Sequence, residues 1–291
     1  MIRALRPSGR PLQLRTIASV SGPSQVNDVS DERLGTYRLT AKLLRERNTF
    51  VAESRQVVSK LLRGGKYRVQ SLLCTPAALE DLQAELEPYP HLPIYLSTSS
   101  LIKELTKVGR GCVAVVDRPD PTPLASLLAA GTAPKRLCAL ETVADPDNVG
   151  GIFRSAQAFG FGGVLLSSSS ADPLYRKAVR TSLAATASLP FSQRESGPGW
   201  SAQWSDDLQL LRERGYRTVA LTPGGRRSVR DAATELKDER VALLLGNEGF
   251  GLSPETLSQA DELVAIPTAG DFSSLNVMVA ASIAMHHFAV P

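Results

Sequence analysis

The 291-residue chain is poor in the side chains that build metal, redox and membrane sites. It has three cysteines, three histidines, two tryptophans and three methionines. Cys74, Cys112 and Cys138 lie far apart and form no CxxC pair. Their odd number argues against a disulfide framework, so single buried thiols in a reducing compartment are expected. His286 and His287 are neighbours, and adjacent side chains on a helix point about 100° apart. With no cysteine or carboxylate cluster beside them, no metal site is expected. No segment approaches the roughly 20 apolar residues of a membrane span, so no membrane partner is expected. No secretory apolar region is visible either, which makes the cytoplasm the expected location.

What is present is an ordinary globular composition, 43% hydrophobic and 21% charged, enough for a real core. The formal net charge of +4 is a mild basic bias, compatible with a polyanionic partner. Arg3, Arg6, Arg10 and Arg15 fall in an opening stretch of 27 residues without an acid. Such a start can mimic a transit peptide, so the mitochondrial matrix is the alternative location. Pro7, Pro11 and Pro23 interrupt any amphipathic helix there. Residues 1–30 therefore read as a flexible basic arm that could touch phosphates.

Residues 31–118 alternate helical and strand patterns and predict a small α/β domain. Leu39, Leu43 and Leu44 share a helical face, and Val57, Val58, Leu61 and Leu62 share another that stops before Gly64-Gly65. Strands are expected at Phe50–Ala52, Val69–Leu73, Ile94–Leu96 and Gly111–Val116. Residues 119–135, rich in proline and small residues, read as a linker with one short helix. A second alternation fills residues 136–291. Strands are expected at Leu137–Thr142, Val164–Leu166, Thr218–Leu221, Val241–Leu245 and Leu263–Ile266, with Leu174–Ala187 mostly helical. Strands alternating with helices predict an α/β fold with a parallel sheet covered on both faces. Ligands of such sheets sit beyond the carboxyl ends of the strands. The loops after Thr142, Leu221, Leu245 and Ile266 are therefore the ones to inspect.

In the first, "DPDNVGGIFRSAQAFG", Asn148 and Arg154 are six residues apart. If the helix starts near Val149, Arg154 lies in its second turn. Alone, this pattern is a capping Asn and a solvent-facing Arg. In the second, "LLLGNEGFGLSPE", three glycines surround Glu248 directly after a buried strand, and glycine permits close backbone approach to a ligand. The spacing is not GxGxxG, which disfavours a dinucleotide-dependent oxidoreductase. In the third, "IPTAGDFSSLNVMVAASIAMHHF", a loop of small and polar residues leads straight into an apolar helix. Ser273, Ser274 and Asn276 flank Leu275 at a helix start, where N-terminal amides favour partly negative ligand atoms. Ser274 is expected to be the N-cap.

Taken together, the three loops resemble the signature motifs of the SpoU/TrmH family of SPOUT RNA methyltransferases. The matches are N-x-G-x-x-x-R at Asn148–Arg154, G-N-E-G-x-G-L at Gly246–Leu252 and I-P-x-x-G-x-x-x-S-L-N-V at Ile266–Val277. The likeness runs from about Arg136 to Phe288. Met278 departs from it, standing where the family commonly has a small residue. The small N-terminal domain also resembles the RNA substrate-binding domain that often precedes this catalytic domain.

The resemblance implies a C-terminal trefoil knot and a pocket for S-adenosyl-L-methionine. It also implies methyl transfer to a ribose 2′-hydroxyl in ribosomal or transfer RNA. It gives Arg154 the place at the 2′-hydroxyl, as a perturbed base or as a cation beside the developing alkoxide. It places Asn148, Glu248, Ser274 and Asn276 in the catalytic pocket, and Thr222, Gly246, Ile266 and Leu275 around the cofactor. It further implies a homodimer through the C-terminal helix and the first-motif helix. On that reading the C-terminal half should fold without residues 1 to about 120. Arg176, Lys177 and Arg180, with Arg226, Arg227 and Arg230, are candidate phosphate contacts. The alternative is a non-catalytic RNA-binding relative with the same fold.

Overall fold

The computed structural model describes residues 22–107, 109–120, 122–194, 199–269 and 275–289. The expectations for most of the basic arm, and those for Ser273 and Ser274, lie outside the described residues. The first unit runs β1 (Ser24–Gln25), α1 (Ala41–Glu46), β2 (Thr49–Glu53), α2 (Arg55–Gly64), β3 (Val69–Cys74), α3 (Pro76–Asp81), α4 (Gln83–Leu86), β4 (Ile94–Leu96), α5 (Ser99–Thr106) and β5 (Cys112–Asp117). Helix α2 shows why such segments are legible. The Ser54 side chain caps its start, four buried aliphatics make its inner stripe, and Gly65 ends it in the left-handed region at φ 60°. The sheet order is β1-β4-β3-β5-β2. β4 is parallel to β1 and β3, while β5 is antiparallel to β3 and β2. This pairing sets Cys74 opposite Cys112, both buried and free. Burial pushes the Cys74 thiol up to about 12.

The second unit runs α6 (Leu124–Leu127), β6 (Arg136–Leu140), α7 (Pro146–Ala158), β7 (Val164–Leu166), α8 (Arg176–Thr181), α9 (Ala185–Ser188), β8 (Phe191–Gln193), α10 (Trp200–Glu213), β9 (Tyr216–Leu221), β10 (Arg227–Ser228), α11 (Val229–Glu235), β11 (Arg240–Leu245), α12 (Pro254–Gln259), β12 (Glu262–Ala265) and α13 (Val277–His287). Its sheet is parallel throughout, in the order β10-β12-β9-β11-β6-β7-β8. Both faces are covered, and strand alternation divides the side chains between them. Val241, Leu243 and Leu245 of β11 face the cluster built with α7, α11 and α13. Ala242 and Leu244 face the opposite cluster, which holds Trp204, Leu208 and Leu211 of α10. Leu124, Leu127 and Leu128 join that second cluster, so the proline-rich stretch is packed against the sheet.

Four adjacent strands, β12-β9-β11-β6, end at the four loops singled out from the sequence. Around these loops three local readings change. α7 starts at Pro146 with Asp145 as its N-cap, so Asn148, Gly150 and Gly151 lie inside the helix. α13 starts at Val277 with Asn276, not Ser274, as its N-cap. The helix expected across Leu174–Ala187 is broken into α8 and α9. Leu183 and Ala184, at φ 51° and 66°, turn left-handed between them.

The two units share a core. Leu174, Val179, Ala184 and Ala187 of the second unit pack in one apolar cluster with Phe50, Val57, Val58, Leu72 and Val116 of the first. Within this contact, Arg176 Nη1 donates to Glu53 Oε1 at 3.2 Å and Arg180 Nη1 donates to Glu53 Oε2 at 2.7 Å. Nearby, Arg118 donates to both oxygens of Asp172, at 2.9 and 2.6 Å. Arg176 and Arg180 therefore bind a buried carboxylate of the first unit, and the phosphate role offered for them gives way to an internal one.

Candidate active site

The site forms where the first-motif helix, the second-motif loop and the third-motif cap meet. Asn276 Nδ2 donates to Asn148 Oδ1 at 3.0 Å. Asn148 Nδ2 in turn donates to Glu248 Oε1 at 2.8 Å. The Asp145 and Ala144 N–H groups donate to the same carboxylate, at 3.2 and 3.3 Å. One side chain from each loop thus enters a single chain of hydrogen bonds. Asn276 does two jobs, because its Oδ1 also accepts from the Met278 and Val279 N–H groups at the head of α13.

Burial works against the charge on Glu248. The hydrogen bonds from Asn148, from its own N–H and from the Asp145 and Ala144 N–H groups outweigh it and hold the carboxyl below its ordinary value of 4.5. A carboxyl lowered in the folded state stabilises fully above the unfolded value, and that contribution is lost as pH falls through the folded value. The stability difference between the native chain and Glu248→Gln is therefore expected to stay constant above about pH 4.5 and to shrink below it. Urea midpoints measured from pH 3 to 7 test this, and a difference that grows on acidification would contradict it.

Beside this network lies a cavity of about 370 Å³. Thr222, Gly246, Ile266 and Leu275, the four residues expected around the cofactor, all line it. Leu221, Leu245, Val277 and Ala280 add apolar wall, while Asn247, Glu248 and Thr268 add a polar side. The size and mixed lining suit a small molecule with an apolar body and a few polar anchors. Gly246 is required by close approach, since a Cβ there would sit 2.2 Å from the Gly251 carbonyl carbon. Among the described residues, no group of three or more His, Cys, Asp and Glu is placed to hold a metal ion.

A family model described as the SpoU rRNA methylase family matches residues 135–286. This chain belongs to the SpoU rRNA methylase family. An uncharacterized tRNA/rRNA methyltransferase of Mycobacterium tuberculosis is 31% identical over 270 residues, covering 90% of each chain. The AdoMet-bound rRNA methyltransferase of Sinorhizobium meliloti shares the fold with a TM-score of 0.74 and 24% identity, over 91% of this chain and 97% of the other. The SpoU methyltransferase AviRb of Streptomyces viridochromogenes, in complex with AdoMet, has a TM-score of 0.71 and 25% identity over 89% and 97% of the two chains. The parallel α/β sheet expected for a SPOUT domain is thus matched in architecture, and the chain is a SpoU-family RNA methyltransferase.

Two positions of this SpoU chain stand apart from the network and the cavity. The Arg154 side chain stands exposed on α7 and makes no hydrogen bond or ion pair among the described residues, so it does not join Asn148 and Glu248 within one chain. Met278, the departure from the family pattern, does not line the cavity. Its sulfur occupies the space over Gly151, where a Cβ would lie 1.9 Å from it, so its bulk is absorbed between α13 and α7.

The sequence reading also missed the residues that brace the loops. Ser253 donates to Glu141 through its N–H at 3.0 Å and its hydroxyl at 2.7 Å. Asn247 Nδ2 donates to the Thr142 carbonyl at 2.8 Å. Glu141 had a signal: an acid that directly follows the apolar run Leu137–Leu140 is buried with it and must be paired. Of the basic residues proposed in the segment after Leu221, Arg227 is paired with Glu235 and Glu262. Arg226 and Arg230 are exposed, with no ion pair among the described residues.

Proposed function

We propose that this SpoU-family enzyme methylates a ribose 2′-hydroxyl, in ribosomal RNA first and in transfer RNA as the second substrate class. The observation that carries the reading is the convergence of three loops. Asn276, Asn148 and Glu248 form one hydrogen-bonded chain, and Glu248 also lines the cavity ringed by Thr222, Gly246, Ile266 and Leu275. S-adenosylmethionine supplies a methyl group on a sulfonium, and its sulfur leaves as a neutral thioether when the S–CH3 bond breaks. The protein's task is then to hold the hydroxyl in line and manage its proton.

In this reading Thr222, Gly246, Ile266 and Leu275 hold the cofactor in the cavity. Glu248, kept ionised by its donors, fixes the Asn148 side chain, and Asn276 fixes its other end. Asn148 orients the ribose and its phosphate. Arg154 supplies the cation beside the developing alkoxide, since a guanidinium is a poor base but a good stabiliser of oxyanions. Ser274, outside the described residues, is assigned to the same pocket by the family motif.

A two-fold homodimer belongs to the same proposal. Helix α13 is apolar on nearly every side, yet Val279 is 42% exposed and Val277, Met278, Ala280 and Ile283 are only half-buried. A helix of that composition calls for cover on its remaining faces. The trefoil knot is likewise proposed from family membership. It is supported by the path of α13, which returns from β12 to pack on α7 and α11. Arg136, buried at the start of β6, helps hold it there by donating to the Phe288 carbonyl at 3.0 Å.

The deciding experiment offers labelled S-adenosylmethionine and ribosomal RNA from cells lacking the protein, then digests the RNA to nucleosides. Label is expected only in 2′-O-methylated ribose, and replacing the target by its deoxynucleotide should abolish transfer. Label on a base, or undiminished transfer to the deoxy substrate, would refute the ribose assignment. Absence of any transfer with intact RNA binding would favour the non-catalytic reading.

A further inference from the structure

Among the described residues three large hydrophobics are exposed, and Phe250 is by far the most open of them, at 71% against 42% for Leu43 and Val279. It sits at the tip of the second-motif loop, two residues beyond Glu248. That loop is not slack. Asn247 and Gly251 exchange backbone hydrogen bonds, each of 3.0 Å, and close the ring. The Asn247 side-chain oxygen accepts from the Gly249 N–H at 2.8 Å and from the Phe250 N–H at 3.3 Å. Its amide nitrogen ties the ring to the Thr142 carbonyl. Gly251 takes a left-handed φ of 75° that an L side chain would resist. The sequence thus builds a rigid pedestal whose product is an aromatic ring standing in solvent. The same ring lines the mouth of the cavity beside Glu248.

We infer that Phe250 is a stacking platform for a nucleobase of the RNA at the mouth of the active site. The inference rests on the RNA reading above. A ribose hydroxyl must be lifted into line with the methyl donor, and a nucleotide lifted out of its strand loses stacking on its neighbour. Proteins that handle single-stranded RNA replace that loss with exposed aromatic rings, on which a base stacks whatever its sequence. Isolation separates this ring from a subunit contact. Its neighbours Glu248 and Gly249 are exposed and carry no apolar side chain, whereas an interface core needs contiguous apolar surface of the kind α13 presents. The exposed cations Arg226 and Arg230 follow Thr222 and Pro223, which line the same cavity, and provide phosphate contacts for the strand.

The test uses the full chain with Phe250→Ala, Phe250→Leu and Phe250→Trp. The probes are an oligoadenylate of about 12 nucleotides and an abasic ribose-phosphate oligomer of the same length. Phe250→Ala is expected to weaken oligoadenylate binding roughly 5- to 150-fold, the equivalent of one stacked base. Leucine should not restore it and tryptophan should, with its fluorescence quenched by oligoadenylate and not by the abasic oligomer. All four proteins should bind the abasic oligomer alike and S-adenosylmethionine within about twofold. Unchanged oligoadenylate binding by Phe250→Ala overturns the inference. Loss of cofactor affinity would make the ring a cofactor cover, and loss of the dimer in sedimentation would make it a subunit contact; either result also overturns it. If Phe250-dependent stacking holds while no methyl reaches a ribose, the ribose reading falls and the platform stands.

Discussion

Arg154→Ala and Asn148→Ala are each expected to lose turnover by about a hundred- to a thousandfold, the scale for removing one stabilising group from an active site. A mixture of the two, unfolded and refolded together, is expected to recover activity. The argument starts from α7. Six residues separate Asn148 from Arg154, so on an α-helix their side chains diverge by about 120° and stand about 9 Å apart along the axis. Asn148 is buried against Glu248, while Arg154 is exposed and unpaired among the described residues. One chain therefore does not bring the two together. In the proposed two-fold dimer, Arg154 of one subunit reaches the pocket of the other. In a mixed dimer, the Arg154→Ala subunit retains a sound pocket and receives a sound arginine from its partner. Random pairing across a two-fold axis then restores about a quarter of the native sites. S-adenosylmethionine affinity should stay within a few-fold in Arg154→Ala, because that residue is assigned to the acceptor. A mixture as inactive as its components would place Arg154 in its own subunit's site and remove the shared-site assignment.

The sequence was most informative where local rules and global fold agree. The strands ending at Leu140, Leu221, Leu245 and Ala265 close on the apolar residues that parallel sheets require, and their loops meet because the four strands are neighbours. Convergence of Thr222, Gly246, Ile266 and Leu275 on one cavity follows from that geometry. Element ends were harder. α7 begins earlier than expected because Asp145 and Pro146 form an N-cap and first turn. Asn276 displaces Ser274 as the cap of α13 because its side chain reaches two N–H groups at once. What periodicity could not show were pairings over long separations. Glu53 lies 123 residues before Arg176, and nothing local distinguishes that arginine from a phosphate ligand. The Asn148–Glu248 bond spans 100 residues and entered the reading only through the family motifs.

Glu53→Ala carries the largest expected cost in stability. Glu53 ends β2 with its side chain 1% exposed, and both carboxylate oxygens are occupied by Arg176 and Arg180, themselves 19% and 20% exposed. Removing the carboxylate leaves two guanidinium groups facing each other beside Leu174 and Val179, with little water to solvate them. Breaking a buried ion pair from one side costs about 3–5 kcal/mol, far above the effect of losing an exposed pair. The damage should reach the active site as well. On the same helix, Lys177 binds Asp147 at 2.9 Å, and Thr181 donates to Asp147 at 2.7 Å, one residue before Asn148. Turnover per folded molecule should therefore fall in Glu53→Ala while S-adenosylmethionine binding persists. Replacing the whole triad, Glu53→Leu with Arg176→Met and Arg180→Met, should recover most of the stability, because apolar residues of similar volume carry no desolvation cost. The same interface bears on removal of residues 1 to about 120. That deletion would strip the cover from Leu174, Val179, Ala184 and Ala187 and leave both arginines unpaired, so the remainder should be less stable than the intact chain. Urea unfolding of the three variants beside the intact chain decides the matter. A Glu53→Ala loss under about 1 kcal/mol would reduce the triad to the rank of a surface ion pair and uncouple the two units.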